Sequence, residues 1–133
     1  SLYLWGDNSF GQIGNGECGN GYPTIATDIV PKPTLIMENV AHVTLYDFNS
    51  FALKNDGTVW AWGEAYGSSP MQIGSGFIDV LGGEFALYAD GSITYLDDPN
   101  TVVSTDVADA LLNGNVYPAY IAVLHTDGKL WNL

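Results

Sequence analysis

A chain of 133 residues is long enough to bury a core of ordinary size, and 47% apolar residues place it with globular rather than disordered proteins. Fifteen acids stand against three lysines (Lys32, Lys54, Lys129) and no arginine, a net charge of -12. That balance argues against nucleic acid, which needs cations to displace phosphate counterions, and against an anionic membrane; no apolar run reaches the ~18 residues of a membrane span.

The predicted elements are almost all strands. Leu2–Trp5 is apolar and aromatic, with no basic region or cleavage site that would make it a signal peptide. Asn15–Gly21 is a Gly-rich loop holding the single cysteine, Cys18, and it leads into an insertion around Gly16 to Pro33. It lacks the Gly-Lys-Ser/Thr ending and the following helix of a phosphate loop. A further strand is expected over Ile25–Val30, then Val40–Leu45, Phe51–Leu53 and Thr58–Trp62. Met71–Ile73, Phe77–Val80, Phe85–Tyr88 and Ser92–Leu96 follow. Asp106–Leu112 has a helical flavour, but its apolar residues suit an inner strand better, given its neighbours. Tyr120–His125 and Lys129–Leu133 close the series.

Three of these strand pairs share one phrase: an apolar run enters Asp-Gly and a second apolar run leaves it. The turns are Asp56-Gly57, Asp90-Gly91 and Asp127-Gly128, so the repeat is roughly 35 residues long. Asp-Gly between two apolar runs is a strong hairpin signal, because the tight turn takes Asp and Gly in positive φ. Each unit then holds three or four short antiparallel strands, the content of a propeller blade. The fold class expected is all-β, a partial β-propeller of about three antiparallel blades in one domain, 1–133, with approximate units 1–62, 63–96 and 97–133. The phase is informative. Leu2-Tyr3-Leu4-Trp5-Gly6 matches Val59-Trp60-Ala61-Trp62-Gly63, the second half of a hairpin, so its first half is missing upstream. Leu2–Trp5 is therefore expected as an unpaired edge, covered by missing upstream sequence, by another copy in a homo-oligomer or by the C-terminal hairpin Tyr120–Leu133.

Leu4-Trp5-Gly6-Asp7-Asn8-Ser9-Phe10-Gly11-Gln12-Ile13-Gly14 resembles the Trp-Gly-x-Asn-x-x-Gly-Gln-Leu-Gly signature of regulator-of-chromosome-condensation repeats. Phe51–Gly63 resembles the Ala-Leu-x-x-Asp-Gly-x-Val-x-x-Trp-Gly element that precedes it. The second unit keeps Trp62-Gly63 and Tyr66-Gly67 but loses Gln-Leu-Gly; the third has Leu96-Asp97-Asp98 where Trp-Gly would stand. Asp47-Phe48-Asn49-Ser50 replaces the Gly-x-x-His that commonly precedes the Ala-Leu element. The resemblance implies a seven-bladed propeller with four-stranded blades, used as a recognition platform. The Asp-Gly-Thr-Val-Trp-Ala-Trp-Gly style resembles bacterial members, which implies a place at the surface of a bacterial cell or outside it.

The functional residues follow from this. Asp56, Asp90 and Asp127 are turn residues with Gly57, Gly91 and Gly128, not a carboxylate site. His42, His125 and Cys18 have no nucleophile elbow or cysteine-protease signature around them, so no catalysis is expected of them. Asp97 and Asp98, in Asp97-Asp98-Pro99-Asn100, offer oxygen donors, but no Asp-x-Asp-x-Asp-Gly loop is present; no metal and no cofactor are expected. Aromatic residues in loops, Phe10, Tyr22, Tyr66 and Tyr117, are the partner-binding candidates, with Asp97 and Asp98. The reading is a non-catalytic protein-binding module with a protein partner, no nucleic acid and no membrane insertion. The alternatives are a propeller hydrolase or lyase using acidic loop residues, and a self-assembling scaffold.

Overall fold

The computed structural model describes residues 1–21, 28–113 and 120–132. Their regular structure is nearly all β: thirteen strands, every pairing antiparallel, with no α-helix among the described residues. Such sheets, with the repeat reported below, are consistent with part of a β-propeller. The chain divides into two units, Ser1–Ser75 and Gly76–Leu133.

In the first unit β1 (Leu2–Asp7) pairs with β2 (Ile29–Met37) as a two-stranded sheet. A four-stranded meander follows: β3 (Val40–Tyr46), β4 (Asn49–Lys54), β5 (Thr58–Gly63) and β6 (Gly67–Ser75). Its inner strands carry the core. Phe51, Ala52, Val59, Ala61 and Trp62 are buried, while β6, at the edge, leaves Met71 exposed. β2 contains Pro31 and Pro33, which a strand tolerates at an edge because no ladder N–H is needed there.

In the second unit β7 (Phe77–Leu81), β8 (Phe85–Tyr88), β9 (Ile93–Tyr95) and β10 (Val102–Ser104) form another four-stranded meander. β11 (Val107–Asn113), β12 (Tyr120–His125) and β13 (Leu130–Asn132) form a three-stranded one. The two sheets meet through Leu81, Leu87 and Ile93 on one side and Val107, Ala110 and Val123 on the other, all buried.

A backbone repeat underlies the fading sequence repeat. The residue before the first strand of three sheets sits at positive φ: Asn39 (60°), Gly76 (87°) and Asp106 (58°). Each of those strands then carries a register shift at its second position, between Val40 and His42, Phe77 and Asp79, and Val107 and Asp109. Asn, Gly and Asp are the residues that accept the left-handed region at least cost, so side-chain identity varies while the turn is kept.

Four expectations change. Leu2–Trp5 is not wholly unpaired: β2 pairs it along one edge, and only the other edge is open within its sheet. The strand expected at Ile25–Val30 runs instead from Ile29 to Met37, its first part falling outside the described residues. Met71–Ile73 extends to the nine residues of β6. The aspartates of the hairpin turns also differ. Gly57, Gly91 and Gly128 have φ of 83°, 81° and 83°, whereas Asp56, Asp90 and Asp127 do not have positive φ. The N–H of each glycine donates to the carbonyl three residues back, on Lys54, Tyr88 and His125. This is the three-residue hairpin, a type I turn closed by a left-handed glycine, a close relative of the two-residue turn and within the expectation of one or the other; only the aspartate backbone is corrected.

Candidate interaction site on the first sheets

The most elaborate loop runs from Asp7 to Gly21 and is built around one buried amide. Asn8 is 3% exposed. Its Oδ1 accepts the Ile13 N–H at 3.0 Å, and its Nδ2 donates to Asn15 Oδ1 at 3.1 Å and the Glu17 carbonyl at 2.9 Å. Asp7 caps the loop's start, accepting from the Ser9 N–H and hydroxyl and from Gln12 Nε2. These bonds fix the Gln12 carbonyl, which becomes the receptor for the next sheet: Trp62 Nε1 donates to it at 2.9 Å and the Ser50 hydroxyl at 2.7 Å. Farther along, the Gly16 N–H donates to the Ser68 carbonyl at 2.9 Å. A Cβ on Gly14 would lie 2.7 Å from Trp62 Nε1, so only glycine admits the indole this closely. The Trp-Gly-x-Asn-x-x-Gly-Gln-x-Gly motif is thus a clasp between successive sheets.

Trp5 and Trp62 occupy the same strand position, each followed by a positive-φ glycine, Gly6 at 108° and Gly63 at 116°. Trp62 is fully buried under the clasp, whereas Trp5 is 59% exposed. The glycines differ likewise. A Cβ on Gly63 would meet the Phe48 carbonyl oxygen at 2.1 Å, while one on Gly6 would meet nothing within 4 Å. Directly paired positions share a face, so Tyr3, opposite Leu35, joins Trp5 in an exposed apolar patch on β1 and β2.

Beside Trp5 lies a cleft of about 150 Å³ between the end of β1 and the β3–β4 turn. It is lined by Leu4, Trp5, Ile13 and Leu45, with Asp7, Asp47, Asn49 and Ser50. Leu45 is exposed, and Asp47 turns the hairpin at φ 53°. A second, more polar groove of about 300 Å³ is lined by Asn8, Glu17, Cys18, Gly19, Asp28, Ile29 and Val30.

Of the sequence candidates, Phe10 is half-buried and stacks on Phe48 with ring centroids 4.2 Å apart. Tyr66 meets Phe51 edge to face at 5.6 Å. Tyr22 and Tyr117 lie outside the described residues. Asp97 is exposed, and Asp98 is engaged in its own turn: it accepts from the Asn100 N–H at 3.1 Å and the Thr101 hydroxyl at 2.6 Å. The Thr101 hydroxyl, then the Asn100 N–H, hold the Asp98 carboxyl below the usual carboxylate range. The hairpin aspartates behave alike. The Thr58 hydroxyl and N–H lower Asp56, the Ser92 hydroxyl and N–H lower Asp90, and the Lys129 side chain and N–H lower Asp127. Cys18 is exposed, its Sγ 3.8 Å from the Ser9 carbonyl, while His42 lies exposed on β3 and His125 faces Trp131 edge-on at 6.1 Å. Among the described residues no three His, Cys, Asp or Glu side chains gather as metal ligands. Sequence reasoning missed Leu45 and Asp47. Their only signal was the departure at Asp47–Ser50 from the repeat pattern.

Residues 40–66 match the family model of the Regulator of chromosome condensation (RCC1) repeat. The matched stretch spans β3, β4, β5 and the turn after them, within the four-stranded sheet. A repeat of this kind suggests a propeller-type protein-interaction module.

Proposed function

We propose that the protein is a non-catalytic recognition module whose partner is a protein surface that is neutral or basic. The observation that carries this is the RCC1 repeat at 40–66, lying next to apolar side chains that its own sheets leave open. Trp5 and Leu45 offer an aromatic and an aliphatic wall, the kind of side chain that anchors interfaces. Asp47 beside them, and a net charge of -12 over the chain, favour a partner segment carrying Lys or Arg. The hairpin carboxylates are spent on their own turns, which leaves them poorly placed as acid or base.

The test is amide hydrogen exchange with and without an extended peptide bearing Lys and Leu. Protection at Leu45–Asn49, weakened by Asp47→Lys, supports the reading. A turnover on any glycoside or ester substrate that Asp7→Asn or Asp47→Asn abolishes in a folded protein overturns it in favour of the hydrolase or lyase alternative.

A further inference from the structure

The Gly-rich loop carries the dipeptide Asn-Gly twice, at Asn15-Gly16 and Asn20-Gly21. An asparagine before glycine is open to attack by its own chain, because glycine has no Cβ to hinder its nitrogen from reaching the asparagine Cγ. The two pairs are held differently. The Gly21 N–H donates to the Ser9 carbonyl at 2.9 Å, inside the loop. The Gly16 N–H donates to the Ser68 carbonyl at 2.9 Å, and the Ser68 hydroxyl donates to the Gly16 carbonyl at 3.2 Å, so both sides of Gly16 are tied to β6. The Asn15 side chain is meanwhile arranged as an electrophile. Its Oδ1 accepts from Asn8 Nδ2 and from the Glu17 N–H, each at 3.1 Å. Two fixed donors on a carbonyl oxygen stabilise the negative charge that gathers there under attack. Its Nδ2 donates to Glu17 Oε2 at 3.2 Å. An activated amide therefore stands next to a nucleophile restrained by bonds to a neighbouring sheet.

We propose that Asn15 is a self-modification site, a deamidation centre whose gate is the Ser68 clamp on Gly16. When the junction opens locally, the Gly16 nitrogen loses its proton to hydroxide and attacks Asn15 Cγ. The Cγ–Nδ2 bond breaks, and the departing nitrogen takes a proton from water and leaves as ammonia, which regenerates the hydroxide. The five-membered imide left behind adds water at either carbonyl and opens to an aspartate or an isoaspartate at position 15. Both products oppose reclosure. A carboxylate then stands where an N–H donor faced the Glu17 carboxylate, so an attraction becomes a repulsion. In the isoaspartate the main chain runs through the former side chain and is a methylene longer, which shifts Gly16 out of register with Ser68. The step runs one way: it turns a transient opening between the first two sheets into a lasting one.

The test keeps the full chain and its Ser68→Ala variant at one mildly alkaline pH, folded in buffer and unfolded in urea. Residues 15 and 20 are followed by peptide mass mapping with isoaspartate detection. In the folded parent protein Asn15 should react at least about tenfold more slowly than in urea, the factor carried by about 1.4 kcal/mol and the scale of the hydrogen bonds to be broken. Ser68→Ala, which removes the hydroxyl bond, should speed Asn15 several-fold and leave Asn20 at its parent rate. Equal rates for Asn15 in buffer and in urea overturn the gate, and that comparison needs no variant. So does a Ser68→Ala protein that keeps its β3–β5 amides protected yet changes both asparagines alike, or neither. Product formed in the folded protein is separated by its added negative charge. Its Gly16 amide should exchange hydrogen several-fold faster than in the parent, and unchanged protection there overturns the one-way opening.

Discussion

The two units join neighbouring sheets by different chemistry. In the first, the junction is polar and particular: one carbonyl, that of Gln12, takes the Trp62 indole N–H and the Ser50 hydroxyl, while the Gly16 N–H reaches the Ser68 carbonyl. In the second, it is an apolar cluster from Leu81 to Val123, with the Val107 N–H donating to the Gly91 carbonyl at 2.9 Å. A hydrogen-bonded clasp works only with its own residues at their own spacing, because a buried donor left unmade costs its full desolvation. An apolar cluster asks for volume and sidedness, which many sequences supply. The repeat signature therefore survives in the first unit and dissolves in the second while sheets of the same kind persist in both.

The sharpest break of this comparison is Trp62→Ala. It should cost about 3–5 kcal/mol, from lost burial and the cavity beneath the clasp. Trp5→Ala, at the same strand position without the clasp, should cost less than about 1 kcal/mol at low salt. Urea unfolding of the two variants measures the difference; equal losses would mean that the clasp adds nothing.

On the other side of the comparison, Ile93→Ala removes a fully buried side chain from the apolar junction and should cost about 2–4 kcal/mol. Hydrogen exchange locates the damage. Amides of β7–β12 should exchange faster while those of β3–β6 keep their rates, and uniform acceleration would show one cooperative body instead of two.

Smaller effects sharpen the role of glycine. Gly57, at φ 83° with open space beside it, should lose about 1–2 kcal/mol on substitution by alanine, the cost of the left-handed backbone alone. Gly14→Ala has the same φ and also strikes the Trp62 ring, so it should lose more in thermal unfolding. Gly91→Ala, whose Cβ would lie 2.9 Å from the Val107 carbonyl oxygen, should show the corresponding excess in the second unit.

The smallest effect is acid sensitivity. Folding lowers the carboxyl pKa of Asp56, Asp90 and Asp127, so their contribution is fully present above the unfolded value of about 4 and is lost as pH falls through the lower folded values. Below about pH 4 the protein should lose stability as pH falls, and Asp90→Asn should flatten that limb slightly. The groups are fully exposed, so a limb as steep in Asp90→Asn as in the parent protein would place the acid sensitivity elsewhere.

Much of the architecture was legible because it rests on local chemistry. Asp-Gly between apolar runs located all three hairpins, and the match of Leu2–Gly6 to Val59–Gly63 identified β1 as a strand of the β5 kind. Asp106–Leu112 resolved as a strand, since its neighbours outweighed its helical flavour. β10 and the Pro-bearing β2 were harder, because edge strands need neither alternation nor strong β-formers once an inner strand supplies the ladder. The aspartate backbone was misassigned for a physical reason: Asp tolerates positive φ, but here its carboxylate binds the N–H two residues on, and only the glycine goes left-handed.

By itself the sequence determined which segments are strands, where they turn, that the strands repeat in kind, and that the surface is acidic, since each depends on residue type and short-range spacing. Tertiary structure alone decided that Asn8 organises the loop, that the Gln12 carbonyl is the receptor, and that one tryptophan of an equivalent pair is buried while the other is bare. It also set Leu45 and Asp47 beside Trp5, about 40 residues away along the chain. These facts depend on which backbone groups meet across sheets, and no local pattern encodes a contact between strands until the ladder has set their register.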